Sequence, residues 1–161
     1  MVTIAVTGHM DLSDGTIPLV RAALDDLLAG YGSDVTGVSC IAAGADAIFA
    51  EAVLDAGGRL VVVVPSGDYR QAKVKPERAD HFDRLHSAAA EVVVMPYDTA
   101  NRAAYEAANH ELLARADRLV AVWDGTPPSG KGGGTADTVV AARSAGTPVD
   151  VLWPEGAARR G

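Results

Sequence analysis

The stretch DRLVAVWDGTPPSGKGGGTADTVVAARSAG, residues 117–146, decides how the chain folds. It begins with an apolar run typical of a buried strand and ends in an alanine- and valine-rich segment typical of a helix. Between them stand Gly132, Gly133 and Gly134, whose bare backbone can approach a ligand closely. Thr135 is a good N-cap, and a helix N-terminus attracts anions. A flexible linker is the alternative, but this placement favours a phosphate-type site.

The same alternation of strands and helices continues along the whole chain. Strand patterns cover residues 2–7, 35–41, 60–64, 92–95, 117–123 and 148–153. Helical spacing of apolar residues separates each from the next. The pattern predicts a doubly wound α/β, Rossmann-like fold, with a mainly parallel sheet of about six strands and helices on both faces. We expect one domain over residues 1–154 and a loose tail over residues 155–161.

Charge and composition restrict the expected partners and compartment. The 161 residues carry a formal net charge of −7, which disfavours broad binding to nucleic acid or to an anionic membrane, so neither is expected as a partner. The single cysteine, Cys40, excludes an intrachain disulfide and fits a reducing compartment. No signal peptide or apolar run of membrane-spanning length is recognised. A cytoplasmic protein is expected.

The turn after the first strand is a second candidate for ligand contact. Thr7 and Gly8 can lay a hydroxyl and bare backbone against a ligand. His9 can donate a hydrogen bond to a phosphate or a ribose hydroxyl. An ordinary strand exit with a partly exposed histidine explains the same residues equally well.

The turn after the second strand contains Ala43, Gly44 and Asp46 and leads into a helix. Its amides can face a ligand, and Gly44 permits close approach. Asp46 either caps its helix or accepts a hydrogen bond from a ribose hydroxyl. Ligands of such sheets bind at the carboxyl ends of the strands, so strands one, two and five should be neighbours if these turns serve one site.

Further polar residues are candidates at the same edge of the sheet. Tyr105 and Asn109 are four residues apart and share a helix face, which is either part of the site or solvated. Asp124 ends the fifth strand, a common functional placement. Asp137 lies in the first turn of the last helix, where it either stabilises that terminus or acts in the crevice as ribose acceptor, nucleophile or base. Arg70 belongs to a basic segment that either clamps a phosphate or stays solvated.

Other chemistries find no support in the sequence. Residues 125–132, GTPPSGKG, nearly match a P-loop but lack the Ser or Thr that holds Mg²⁺. His81 and His86 are spaced too poorly on a helix to chelate a metal together. We therefore predict no metal site and no cofactor.

Three motifs together resemble the SLOG superfamily, which joins the DNA-processing protein A domain and the Lonely Guy phosphoribohydrolases. Residues 7–12, TGHMDL, resemble its T-G-H-R-D-L opening. Residues 39–46 with 55–59, SCIAAGAD and DAGGR, resemble the DNA-processing pattern S-G-x-A-x-G-I-D with E-A-G-G-x. Residues 132–137, GGGTAD, resemble the Lonely Guy motif P-G-G-x-G-T-x-E. The resemblance implies a Rossmann-like fold with a nucleotide or nucleotide-derived ligand in the crevice.

Two functions follow from that resemblance. The first is a module that binds a nucleoside phosphate or an ADP-ribose-like ligand as a sensor or carrier. The second is a Lonely Guy-like phosphoribohydrolase for nucleoside 5′-monophosphates, with Asp137 standing in for the acidic residue and Arg70 or Arg78 assisting. Because the superfamily often dimerises, a homodimer is expected.

Overall fold

The computed structural model describes residues 1–130 and 134–160. Within them, six strands alternate with six α-helices, and a short 3₁₀ turn, Pro76–Arg78, precedes the fourth helix. The strands are β1 Val2–Gly8, β2 Val35–Ser39, β3 Arg59–Val64, β4 Glu91–Val94, β5 Arg118–Val122 and β6 Val149–Val151. The helices are α1 Thr16–Ala29, α2 Ala45–Asp55, α3 Tyr69–Lys73, α4 Ala79–Ala88, α5 Arg102–Arg115 and α6 Thr135–Ser144.

The strands form one sheet in the order β4-β3-β2-β1-β5-β6, and every neighbouring pair is parallel. The predicted doubly wound α/β fold is therefore confirmed. The chain moves outward from β1 to β4 and then returns to the other side of β1 with β5. This change of direction is the topological switch point, and it brings β2, β1 and β5 side by side, as expected if the loops after them serve one site.

Alternation along the central strands distributes their side chains between two helical layers. Ile4 and Val6 of β1 belong to the cluster that includes α1 and α2, whereas Ala5 packs with residues of α5 and α6. Their exposed fractions are at most 1%, as expected for a parallel strand covered on both faces. The loops that follow β1, β2 and β5 lie together at the carboxyl edge of the sheet.

Two segments differ from the sequence prediction. The predicted basic loop contains α3, Tyr69–Lys73, and the 3₁₀ turn. The tail predicted to be loose returns to the first turn, where Leu12 and Arg159 form an antiparallel bridge. There the amide of Ala158 donates to Thr16 Oγ1 over 2.7 Å. This attachment depends on distant polar partners, and a short polar tail has no periodic pattern that reveals them.

The second strand is also shorter than predicted. It ends at Ser39, because Ile41 adopts a left-handed backbone conformation with φ of 48° that no strand continues. Among the described residues, no helix is both long and apolar enough to cross a membrane.

Candidate ligand-binding site

A cavity of about 620 Å³ lies at the carboxyl ends of β1, β2 and β5. Its position at the switch point is the usual ligand site of doubly wound sheets, and its size suits a small molecule. Nine of the residues predicted for the site line it: Thr7, Gly8, His9, Asp46, Tyr105, Asn109, Gly134, Thr135 and Asp137. Gly132 and Gly133, also predicted, lie outside the described residues.

The N-terminus of α6 forms one wall of the cavity through Gly134, Thr135 and Ala136. The first amides of a helix have no acceptor within it, so they can donate to an anion. Asp137, the third helical residue, accepts from the Gly134 amide through Oδ2 over 3.2 Å. The Asp137 carboxylate therefore caps its own helix while it lines the cavity.

Asp46 lies at the opposite, β2 side of the cavity, where it is partly buried in the first turn of α2. Burial raises the pKa of its carboxyl to about 7, although the Ala42 amide and the Arg78 charge both favour the ionised form. The neighbouring thiol of Cys40 has its pKa raised by burial too, and so it is neutral at physiological pH. The Asp46 carboxyl therefore lies beside a neutral thiol, and the Arg78 charge only partly offsets the effect of burial on its pKa.

Aromatic side chains of α3 and α5 cover the same part of the cavity. Tyr69 is 7% exposed, and its ring meets the Tyr105 ring edge-on with 6.4 Å between centroids. Burial raises the pKa of both phenols, so both are neutral at physiological pH. Asn109 lines the cavity one helical turn after Tyr105, as their spacing predicts.

Ala43 and Gly44 do not line the cavity, and the prediction that this turn offers its backbone to a ligand is corrected. Gly44 has φ of 77°, and a Cβ there would lie 2.5 Å from the carbonyl oxygen of His9. The Ala45 amide donates to that same oxygen over 3.2 Å. The start of α2 is therefore occupied by the first turn of the protein itself.

His9 is only 8% exposed and joins the first turn to the end of β5. The Asp124 amide donates to its Nε2 over 3.1 Å, which places the ring proton on Nδ1 in that arrangement. The ring also packs edge-on against Trp153, with 5.6 Å between centroids. His9 thus lines the cavity and supports its wall.

Asp124 also departs from its predicted role as a ligand contact. Its Oδ1 accepts from the Thr126 hydroxyl over 2.6 Å and from the Thr126 amide over 2.9 Å. These bonds lower the pKa of Asp124 to about 2 despite partial desolvation. The carboxylate anchors the loop after β5, and Thr126, rather than Asp124, reaches the cavity.

Arg70 likewise lies away from the cavity. Its Nε and Nη2 donate to the two carboxylate oxygens of Asp83 in α4, each over 2.7 Å, because a guanidinium matches a carboxylate in this forked geometry. Lys73, three residues further along α3, lines the cavity instead. The basic segment does supply a cation to the site, but through a different residue.

Arg159 is a cavity residue that the sequence prediction missed, since it belongs to the tail. Its Nε donates to Asp11 over 2.8 Å, and its Nη1 lies 3.6 Å from Asp124. Trp123 and residues 127–129 of the loop after β5 were also missed as lining residues. Their position directly after an apolar strand was the available signal.

In the described part of the chain, no three His, Cys, Asp or Glu side chains are grouped as a metal site.

Several solved structures resemble this one, although no family model and no curated protein matches the sequence. DNA processing protein A from Streptococcus pneumoniae aligns with a TM-score of 0.71 and 17% identity over 97% of this chain and 52% of its own. The Helicobacter pylori protein of that name gives 0.68 and 18% over 96% and 66%. A molybdenum cofactor carrier protein from Chlamydomonas reinhardtii gives 0.58 and 20% over 94% and 75%.

The chain shares its fold with DNA processing protein A. The likeness to DNA processing protein A confirms the fold that the three motifs predict. At these identities the comparison establishes the fold alone. The chain spans about half the length of the Streptococcus pneumoniae protein and 66% of the Helicobacter pylori protein.

One sequence prediction is overturned by these comparisons. Net charge led to the exclusion of nucleic acid as a partner, yet the Helicobacter pylori protein with this fold is described by its single-stranded DNA binding mode. Net charge averages over the whole surface, whereas contacts with a phosphodiester depend on the local field. A formal charge of −7 is therefore no ground for excluding nucleic acid from this fold.

Proposed function

We propose that this protein binds a nucleotide or nucleotide-derived ligand, such as a nucleoside phosphate or an ADP-ribose-like molecule, as a sensor or carrier. The observation that carries the proposal is the cavity at the switch point, bounded by the turns after β1 and β2 and by the N-terminus of α6. One end has the features of an anion site. The other end has aromatic walls suited to a planar ring.

The cavity contains two independent sources of positive potential. The N-terminus of α6 presents amides at Thr135 and Ala136 together with the positive end of the helix dipole. Lys73 adds a full charge, and within residues 1–130 and 134–160 it forms no ion pair. A phosphate is the ligand group that suits both.

The arrangement favours binding over turnover. The carboxylate of Asp137 accepts from the Gly134 amide. Of the two arginines suggested as its partners, Arg70 is bound to Asp83, and Arg78 donates to the carbonyl oxygen of Ile41 on the β2 side. The Cys40 thiol is neutral and hence a poor nucleophile. A pocket that holds a ligand without an activated nucleophile is what a sensor or carrier needs.

The proteins that share this fold support a carrier role in general terms. One is described as a molybdenum cofactor carrier protein and another by its single-stranded DNA binding mode. Single-stranded DNA combines phosphate groups with planar bases. The cavity described above offers a place for each of these two parts.

Calorimetric titration with AMP, GMP, ADP-ribose, ribose 5-phosphate and a short single-stranded oligonucleotide tests the proposal. We expect at least one of the free nucleotides to bind, and Lys73→Ala to weaken it by roughly threefold to tenfold at low salt. Arg70→Ala is the matched control, since it removes a cation from the same helix but outside the cavity. No binding of any free nucleotide at millimolar concentration, or equal losses in the two variants, would contradict the proposal.

The phosphoribohydrolase is the second candidate, and it is favoured by one observation, that Asp137 lines the cavity beside the α6 amides. Chromatography of the incubated nucleotides distinguishes it from simple binding. Release of free base that is lost in Asp137→Asn would establish the enzyme. Intact nucleotide after prolonged incubation would leave the sensor or carrier.

A further inference from the structure

We infer that Asp46 selects the heterocycle of the ligand and favours a ring that presents two adjacent N–H donors, as the N1 and 2-amino groups of guanine do. The inference rests on the proposed function, because it assigns a specificity to the same cavity. It follows from the position of Asp46 in the cavity wall, from the side chains around it, and from the few hydrogen-bond donors that reach its carboxylate.

The local backbone fixes Asp46 at the cavity wall. Ser39 Oγ donates to the carbonyl oxygen of Asp46 over 3.0 Å and accepts from the Ile41 amide over 2.9 Å. These bonds close the turn between β2 and α2, in which Ile41 takes its left-handed conformation. The Ala42 amide then bonds the Asp46 carboxylate. The carboxylate is therefore positioned before any ligand arrives.

The walls around Asp46 suit a flat ring. Tyr69 and Tyr105 meet edge-on and line the cavity with Ala42 and Ala108. Small and aromatic side chains of this kind form an apolar surface, and a planar heterocycle packs well against it. Polar selectivity at such a surface then depends on the few groups able to make directed hydrogen bonds.

The charged and titratable groups around Asp46 leave it short of donors. They are Arg78 from the 3₁₀ turn, Cys40 from the end of β2, Tyr69 and Lys73 from α3, and Tyr105 from α5. Arg78 acts on Asp46 through its charge, while its Nη2 lies 3.4 Å from the carbonyl oxygen of Ile41.

A carboxylate accepts through two oxygens with about four lone-pair directions, and the Ala42 amide fills one of them. Two N–H groups of a heterocycle would occupy two of the remaining directions of the Asp46 carboxylate. The resulting charge-assisted hydrogen bonds are roughly twice as strong as neutral ones. Adenine presents one donor beside an acceptor on the equivalent edge, and that acceptor would face the carboxylate. The guanine edge is therefore the better match for the ionised form of Asp46.

Competitive calorimetry with GMP, IMP and AMP, which share one ribose phosphate, tests this assignment. We expect GMP to bind at least about tenfold more tightly than AMP, with IMP between them. The preference for GMP over AMP should grow about tenfold between pH 6 and pH 8, because GMP requires the ionised carboxylate. Because GMP and AMP carry the same ribose phosphate, its contribution to binding cancels from the ratio of their affinities.

Asp46→Asn should abolish the preference for GMP and its pH dependence, whereas Asp26→Asn, the same charge change on the exposed face of α1, should keep both. Equal affinities for the three nucleotides, or a preference for GMP that survives Asp46→Asn, would overturn the role of Asp46 while the proposed function stands. Failure of all three nucleotides to bind would overturn the role of Asp46, and the proposed function would fall with it only if ADP-ribose also failed to bind. The comparison of GMP, IMP and AMP uses the wild-type protein, so its result does not depend on whether a variant folds.

Discussion

The N-termini of α2 and α6 have similar sequences but different surroundings. Each follows a strand of the central sheet, begins after a glycine and carries an aspartate in its first turn. At α2 the Ala45 amide is bonded to His9, and Asp46 lies in the cavity with a raised pKa. At α6 the first residues line the cavity, and Asp137 caps the helix.

The difference shows that a glycine before a helix does not by itself indicate a ligand site. The helix amides are available to a ligand only if no other loop of the protein occupies the space above them. At Gly44 the first turn fills that space, so the glycine serves packing and the ligand-facing group is the aspartate. At Gly134 no backbone intrudes among the described residues, so the amides face the cavity and the aspartate stabilises their helix.

The glycines should give the largest difference between the two termini. Gly44→Ala forces a side chain into a left-handed backbone and against the His9 carbonyl oxygen, so we expect a loss of unfolding free energy on the order of 3 kcal/mol. Gly134→Ala, where φ is −87° and the nearest atom is Asp137 Oδ2 at 3.5 Å, should cost less than about 1 kcal/mol. Urea denaturation measures both, and similar losses would contradict the comparison.

The aspartates should differ in how they couple stability to pH. The pKa of Asp46 rises from 3.8 to about 7 on folding, so the carboxyl favours the folded state below about pH 4, and this contribution is lost as pH rises to about 7. Asp46→Asn cannot ionise, and at pH 8 it should therefore be more stable than the wild type by on the order of 2 kcal/mol. Melting curves at pH 5 and pH 8 check this. A constant difference between the proteins would refute it.

Asp137 should show the smallest effect. Asp137→Ala removes the acceptor of the Gly134 amide and a favourable charge at the helix dipole, which should cost about 0.5–1 kcal/mol. Asp137→Asn keeps the acceptor and should lose less than half of that amount. Denaturation of the two variants side by side provides the measurement. A larger loss in the asparagine variant would show that the charge, rather than the cap, matters.

The fold could be predicted from sequence because strand and helix periodicity is local. The strands β2, β1 and β5 were expected to be neighbours on the condition that their loops serve one site, and they are neighbours in the sheet. Thr7, Gly8 and Thr135 line the cavity because each lies at the end of a strand or at the start of a helix. These features need no knowledge of distant contacts.

The remaining features of the site depend on pairings that sequence does not show. Arg70 and Lys73 are equivalent in a basic segment until Asp83 binds one of them. Arg159 reaches the cavity because Asp11 holds it there, across nearly the whole chain. The Asp124 carboxylate accepts a hydrogen bond from Thr126, only two residues away. The sequence around Asp124 nevertheless looks the same as that around a carboxylate that faces a ligand.

The most direct test is a crystal structure of the protein soaked with a nucleoside 5′-monophosphate. The account predicts phosphate oxygens within about 3 Å of the Thr135 and Ala136 amides, with the base against the Tyr69 and Tyr105 side chains near Asp46. A nucleotide bound with its phosphate away from α6, or bound only outside the cavity, would contradict it.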